Sequence, residues 1–479
     1  MSPNPPRPYR SALPCALLAL AVAGLVYGAL LQGVFFKTDG PYLTLNLAEG
    51  RCAHPYNAGY MPLLFGFAAL LAPLGLTAFE VSGWFSVAGA ALGVGLAQLA
   101  FARLGLRGRT LAFATLLVAT TPPIAFFATV VEHHGPFLPF AAASFLLGVE
   151  FARRPGLLLA LALGASTHLA YLVHGTGNLL PGLLFPLILA WRRGLPTWRR
   201  DLGLLALAGA IHLLSFVLLL EYELGGAVRG SEKLGAILGE GIGGPRGIAA
   251  IPRVVWRELL VPFAPLLIGA LCAWWVGAGD RRRRRTELVA TAVGALPYLA
   301  ICVHLIAGED ERGAYLLPLA FPLAHVVAAL PWPVPGAVAV LAALLAVSGI
   351  RGHETPILTE QQAWRTAALA EAGSRPLVLA LGGTRDIAFA LASLPEVERL
   401  IPGVAAANPK DAAVIGAVFD AWLAAQRAAG RVVLLTEGAL EDLADPKLGA
   451  GAALLAHVRA LPGARRVERG PFRGLRLGE

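Results

Sequence analysis

Residues Lys37–Pro73 read KTDGPYLTLNLAEGRCAHPYNAGYMPLLFGFAALLAP, and the second half of this stretch fixes how the chain is threaded. Tyr60 to Leu76 is apolar but short, and Pro62 and Pro73 punctuate it. As a helix lying in or dipping into the membrane interface it leaves about eleven spans; as a full crossing it adds one and inverts everything downstream. Charge decides. With the N-terminus inside and Tyr60–Leu76 at the interface, the short inner segments carry roughly twice the arginine and lysine of the outer ones, in line with the positive-inside rule. The inverted threading would put the run Arg281–Arg285 outside.

The bulk composition supports spans of this kind. Hydrophobic residues make up 57% of the chain, charged residues only 14%, and the mean hydropathy is +0.66. A soluble domain carries about 25% charged residues, and a soluble chain of 479 residues this apolar would lack the polar surface to cover it. The expected fold is a polytopic α-helical membrane protein with spans near 11–36, 79–102, 110–130, 136–152, 156–172, 176–191, 202–221, 258–279, 287–306, 314–331 and 334–350. The net charge of +9 sits between apolar runs, which points to membrane lipids as partners and excludes a nucleic-acid face. Arg7 and Arg10 precede the first apolar run, and no small-residue cleavage site follows it, so the N-terminus reads as a cytoplasmic, retained signal anchor. Of four cysteines, Cys15, Cys272 and Cys302 lie in apolar runs, and there is no CxxC spacing or disulfide framework.

From Arg351 the pattern changes. Pro376–Gly383 and Arg431–Thr436 read as short buried strands; Ile387–Ser393, Ala412–Ala429 and Leu454–Leu461 read as helices. The expected division is a transmembrane catalytic domain over 1–350, with a first outer loop at 37–78 carrying juxtamembrane helices, and an extracytoplasmic α/β domain over 351–479. Gly382-Gly383 follows a strand without completing GxGxxG, so it reads as a turn. The glycine-rich stretch Gly225–Gly247 reads as a lid or a plain connector.

Ionisable groups near a bilayer are costly to keep and point to function. Asp39, in Thr-Asp-Gly-Pro just past the first span, fits a helix cap and also fits a general base, because a partly dehydrated carboxylate is the stronger base. His54 is either a loop histidine or a phosphate or proton-handling group. Glu132, His133 and His134 end the third span; adjacent helical residues point about 100° apart, so a helix would turn one or two of them to a common ligand, and no metal site follows from the run. His168, near Thr167 in the fifth span, either hydrogen-bonds a neighbouring helix or faces the site. Arg312, in Gly-Glu-Asp-Glu-Arg-Gly, either pairs with Glu309 or Glu311 or holds a phosphate with its planar fork.

The order of these pieces resembles the GT-C superfamily of glycosyltransferases, multi-span enzymes that take a sugar from a polyprenyl-phosphate carrier. The likeness covers about Lys37 to Trp191 and is nearest to protein O-mannosyltransferase-like members. It rests on Thr38-Asp39-Gly40, on His54-Pro55-Tyr56-Asn57-Ala58-Gly59-Tyr60-Met61-Pro62-Leu63, on Thr121-Pro122-Pro123 through Val131-Glu132-His133-His134, and on Gly164-Ala165-Ser166-Thr167-His168-Leu169. Tyr56 stands where the family pattern has a second proline, and two histidines follow Glu132. The resemblance implies a membrane glycosyltransferase, inverting, at the outer face of what would be a bacterial inner membrane. Asp39 would be its general base and Glu132 a second catalytic acid that orients the acceptor. His54, Tyr60, His133, His168 and Arg312 would bind substrate. The donor would be a polyprenyl-phosphate sugar and the acceptor a protein, lipid or glycan; no cofactor is required, although a divalent metal is found in some relatives. The competing reading is a transporter or flippase of a lipid-linked precursor, which usually shows internal repeats that this sequence lacks.

Overall fold

A computed structural model describes residues 12–37, 39–51, 58–192, 197–223, 245–276, 281–305, 311–402, 412–446 and 450–477. The chain forms two compact units. One comprises Met1–Leu31, Glu49–Leu76 and Glu80–Ile350; the other comprises Gln32–Ala48, Thr77–Phe79 and Arg351–Glu479.

The regular elements of the first unit are, among its described residues, all helices. Among the described residues four helices are long and apolar enough to cross a membrane: Ala78–Arg103, His134–Arg153, Arg281–Val303 and Val334–Ala372, the last running on past Ile350. Two bent pairs raise the number to six, and Leu13–Ala29, Tyr60–Leu74, Leu157–Val173 and Ala314–Ala328 are shorter apolar helices. Two expected spans are interrupted where they were read as continuous. The run 110–130 becomes Gly108–Thr120 and Pro122–Ala128, bent by 62° at Thr121. Pro122 drives its neighbour out of the helical region, and Thr121 accordingly sits at φ −53°, ψ 122°. The run 258–279 begins earlier and breaks between Leu260 and Ala264, with an 87° bend at Pro262. The run 314–331 opens as a 3-10 turn, Ala314–Leu319, and is α-helical only over Ala320–Ala328.

Small residues set the helix spacing in this unit. A methyl group added at Gly89 would lie 2.6 Å from Pro136 Cα, and one at Gly135 would lie 2.8 Å from Ser86 O and 2.9 Å from Phe127 O. Backbone thus meets backbone where Ala78–Arg103 passes the start of His134–Arg153. Gly135→Ala is expected to destabilise the protein by about 1–3 kcal/mol through overpacking. Gly66→Ala, on a helix with open space around it, should be neutral or mildly stabilising. Thermal unfolding of the two variants in detergent separates these outcomes.

The second unit holds a five-stranded sheet: β1 Leu377–Ala380, β2 Glu398–Leu400, β3 Val432–Thr436, β4 Arg465–Arg469 and β5 Phe472–Leu477, in the order β2-β1-β3-β5-β4. β1 is parallel to β2 and β3, while β5 runs antiparallel to both β3 and β4. β1 and β3 are buried along their whole length and read as unbroken apolar runs, as strands covered on both faces do. Val378, Val433 and Leu435 pack with Phe419, Leu423, Leu454 and Val458. The arginine-rich hairpin β4–β5 turns at Gly470, φ +57°, with Arg469 paired to Phe472. Segment 32–48, which the sequence placed with the transmembrane part, packs in this unit: Gly33 N donates to Glu354 Oε1 at 3.0 Å, and Gln32 Oε1 meets His353 Nδ1 at 2.8 Å.

The crevice beyond the C-terminal ends of β1 and β3 is where open α/β sheets usually take a ligand. Here a cavity of about 270 Å³ remains, and the protein's own carboxylates take up loop amides at its edge. Asp442 Oδ2 accepts from Gly383 N at 2.8 Å, and Asp386 Oδ2 accepts from Gly438 N at 3.1 Å. Burial raises the Asp386 carboxyl above its ordinary 3.8, against the lowering pull of its bonds to Thr436 and Gly438. A raised acid binds its proton more tightly folded than unfolded, so its contribution to stability falls as pH rises from 3.8 through the folded value. Relative to Asp386→Asn, the parent protein should therefore lose stability across that rise. Urea unfolding of both at several pH values tests this, and a constant difference between them would refute it.

Candidate functional site

The bend at Thr121 and the short helix Pro122–Ala128 carry the chain into a non-helical turn over 129–133, and His134 opens the next helix. The helical-spacing argument for Glu132, His133 and His134 fails here because the turn is not helical. Glu132 Oε2 lies 3.3 Å from His133 Nδ1 and 3.7 Å from His134 Nδ1, so both imidazoles reach one carboxylate oxygen. The His133 backbone N–H donates to the same oxygen at 3.3 Å, and Ser86 Oγ donates to the Glu132 carbonyl at 3.4 Å. All three side chains are buried. Burial pushes the Glu132 carboxyl up, but hydrogen bonding and charge from the two histidines outweigh it and bring it down to about 2. The turn thus holds an ionised carboxylate in a dry setting.

Aromatic groups enclose it. His134 lies 4.4 Å from the His174 ring and 6.0 Å from Tyr315; His133 lies 5.1 Å from Tyr60. His174 ends the helix Leu157–Val173 and starts the 3-10 turn Gly175–Leu179, accepting from Thr176 N and meeting Thr176 Oγ1 at 2.7 Å. Tyr60 arrives because Gly59 N donates to Leu172 O at 2.8 Å, tying the start of its helix to the end of another. The structure therefore joins Tyr60, Glu132, His133 and His134, and brings His174 and Tyr315 to them. His168 lies elsewhere: its ring contacts are Tyr171 at 5.9 Å and His212 at 6.4 Å.

Arg312 belongs to a cavity of about 390 Å³ in the same unit. Pro122, Pro123 and Phe126 line it from one broken helix, Trp256, Arg257, Val261 and Pro262 from the other. Arg312 Nη1 donates to Gly349 O at 3.2 Å, and its guanidinium sits 4.5 Å over the Phe126 ring. Its backbone is left-handed, at φ +50°, a costly conformation for a residue with a side chain. Glu258 explains how it persists. This fully buried carboxylate accepts from Glu311 N at 3.0 Å and from Gly313 N at 2.8 Å, gripping the residues on either side. The cavity combines two guanidiniums with an apolar wall, a setting suited to an anion attached to a long hydrocarbon.

Asp39, in the second unit, is exposed and is the first residue of the helix Asp39–Ala48; it stands inside the helix instead of preceding it as a cap. A carboxylate there is favoured by the positive end of the helix dipole. His54 and Cys52 lie outside the described residues, as do Glu309 and positions 225–244; from Pro245 the chain is helical.

No protein-family model matches this chain, and neither does any curated protein. Among solved structures it is similar to ArnT from Cupriavidus metallidurans bound to undecaprenyl phosphate, with a TM-score of 0.56 and 15% identity over 97% of this chain and 98% of that one. The chain shares its fold with that neighbour along almost all of both chains. ArnT from the same organism in the apo state gives a TM-score of 0.55 at 14% identity, again over 97% of this chain and 98% of the other. The structural likeness to ArnT therefore embraces nearly the whole chain, whereas the sequence resemblance covers about Lys37 to Trp191.

Proposed function

We propose that this protein is an integral-membrane glycosyltransferase that moves a sugar from a polyprenyl-phosphate carrier to an acceptor hydroxyl, with inversion at the anomeric carbon. The observation that carries the reading is the cavity of Arg312 and Arg257 against Phe126, Trp256 and Leu345, in a fold shared with a protein whose structure holds undecaprenyl phosphate. In the proposed step Asp39 takes the proton of the acceptor hydroxyl as its oxygen attacks the anomeric carbon. The bond from that carbon to the carrier phosphate breaks, and polyprenyl phosphate leaves as an anion. Arg312 and Arg257 stabilise the charge that develops on it. Glu132, kept ionised by His133 and His134, orients the acceptor. The first-loop pattern makes a mannosyl-type donor the first to assay, and the reaction would lie on the outer face of the membrane.

Reconstituted protein supplied with a radiolabelled polyprenyl-phosphate sugar should release polyprenyl phosphate together with a glycosylated product. Movement of the intact lipid-linked sugar between leaflets, with no bond broken, would favour a transporter and sink the proposal. Because two guanidiniums already face the leaving phosphate, the scheme requires no metal, and EDTA is expected to leave the rate unchanged. Abolition by the chelator would instead assign Glu132 and His133 as ligands, a carboxylate and an imidazole being donors that a divalent cation accepts.

A further inference from the structure

Arg281–Arg285 open the helix Arg281–Leu305, whose first turn contains no acidic residue. Basic side chains at a helix N-terminus oppose the macrodipole, so this clustering is locally unfavourable unless an anion compensates it. Among the described residues Arg283 is offset in part by Glu287, 3.4 Å from its Nε. Three of the others, Arg281, Arg282 and Arg285, line a cavity of about 450 Å³ together with Thr286 and Val289. The cavity is anchored from one side: Arg285 Nε donates to Trp274 O at 3.3 Å, with its guanidinium 4.9 Å over that indole, and Arg281 donates to Trp275 O.

The helix carries a second signal. Val289, Val293 and Leu296 are exposed, at 51%, 50% and 61%, and follow Arg285 at intervals that keep them on one face. Trp275, on Ala264–Trp275, whose carbonyl accepts from Arg281, is 62% exposed, and an indole is favoured at the boundary between headgroups and hydrocarbon. Guanidiniums at the helix start and an apolar stripe below them match a molecule with an anionic head and hydrocarbon tails.

We propose that this is a binding site for an anionic glycerophospholipid, its phosphate held by Arg281, Arg282 and Arg285 and an acyl chain lying along Val289, Val293 and Leu296. The positive-inside reading assigns it to the inner leaflet. A free phosphate would meet the same guanidiniums but would leave the apolar stripe unexplained, and charge complementarity excludes a zwitterionic lipid as the preferred occupant. The site does not depend on the glycosyltransferase reading.

The test is lipid retention by the intact protein in detergent, followed by native mass spectrometry, with phosphatidylglycerol, phosphatidylcholine and inorganic phosphate as separate additions. Phosphatidylglycerol should bind and the other two should not. Each arginine near an anionic surface gives roughly a fivefold gain in affinity, so R281Q/R282Q/R285Q should weaken phosphatidylglycerol binding on the order of a hundredfold. The exposed pair R107Q/R109Q, on another helix start, should have little effect. Equal binding of the two phospholipids, retention by the triple variant, or binding of phosphate alone overturns the proposal. If the triple variant does not fold, raising the salt concentration over the parent protein gives the same decision: screening must release phosphatidylglycerol, and release that is independent of salt refutes an electrostatic site.

Discussion

Asp39→Asn should lower sugar transfer by roughly 10²–10⁴-fold, the range a positioned general base supplies. Asparagine keeps the shape of the side chain and its place in the first turn of Asp39–Ala48, but it cannot take up the acceptor's proton. The loss should fall on kcat, with retention of the donor lipid unchanged, because the carboxylate acts on the acceptor and not on the carrier. A second measurement asks whether Asp39 and Glu132 serve one reaction centre. If they do, the Asp39→Asn, Glu132→Gln double variant should lose far less than the product of the two single losses, as residues acting as a unit do. Transfer by Asp39→Asn at the parental rate would remove the base assignment, and multiplicative losses would separate the two acids.

Arg312→Ala should cost transfer roughly 10²–10³-fold, the effect of deleting one preorganised donor from a developing oxyanion. Lysine should recover little of it, since an ammonium lacks the planar fork that meets two phosphate oxygens and stacks on Phe126. The more searching variant is Glu258→Ala. Glu258 touches no substrate in this scheme; it holds the amides of Glu311 and Gly313 and so keeps Arg312 in its left-handed conformation. Its removal leaves two buried N–H groups without their acceptor, at a cost of about 1–3 kcal/mol each. The loop should relax, carrying the guanidinium out of the cavity. Glu258→Ala should therefore show the weakened donor retention of Arg312→Ala, and adding the Arg312 change to it should do little more. A Glu258→Ala protein that is less stable but binds donor normally would make Glu258 a purely structural residue.

The sequence carried the general fold because spans and buried strands leave one-dimensional traces: long apolar runs, their flanking arginines, and the unbroken LVLA and VVLLT of β1 and β3. It concealed the sheet's other half because β4 and β5 are laden with arginine; in β4 only Val467 is buried. The site was legible in part. Tyr60, Glu132 and His133 do meet, but the helical spacing that argued against a joint role stops at Ala128, before the turn that carries the two histidines' neighbour Glu132. Tyr315 and Glu258 left no comparable trace, since each acts through neighbours distant in the chain. A buried glutamate beside Arg257 looks, in sequence, like half of an ordinary surface ion pair; only the fold shows it turned toward Glu311 and Gly313.

The two interrupted crossings, at Thr121 and at Pro262, carry a consequence for how a donor arrives. Hydrocarbon tolerates uncapped peptide groups only where protein or water meets them. The hollow they jointly border has guanidiniums at one part and apolar side chains along the rest, so protein and water can share the task of meeting those groups. Under the proposed function, a lipid-linked donor would slide in sideways, keep its tail in the leaflet, and offer its sugar to solvent without ever being lifted out of the bilayer.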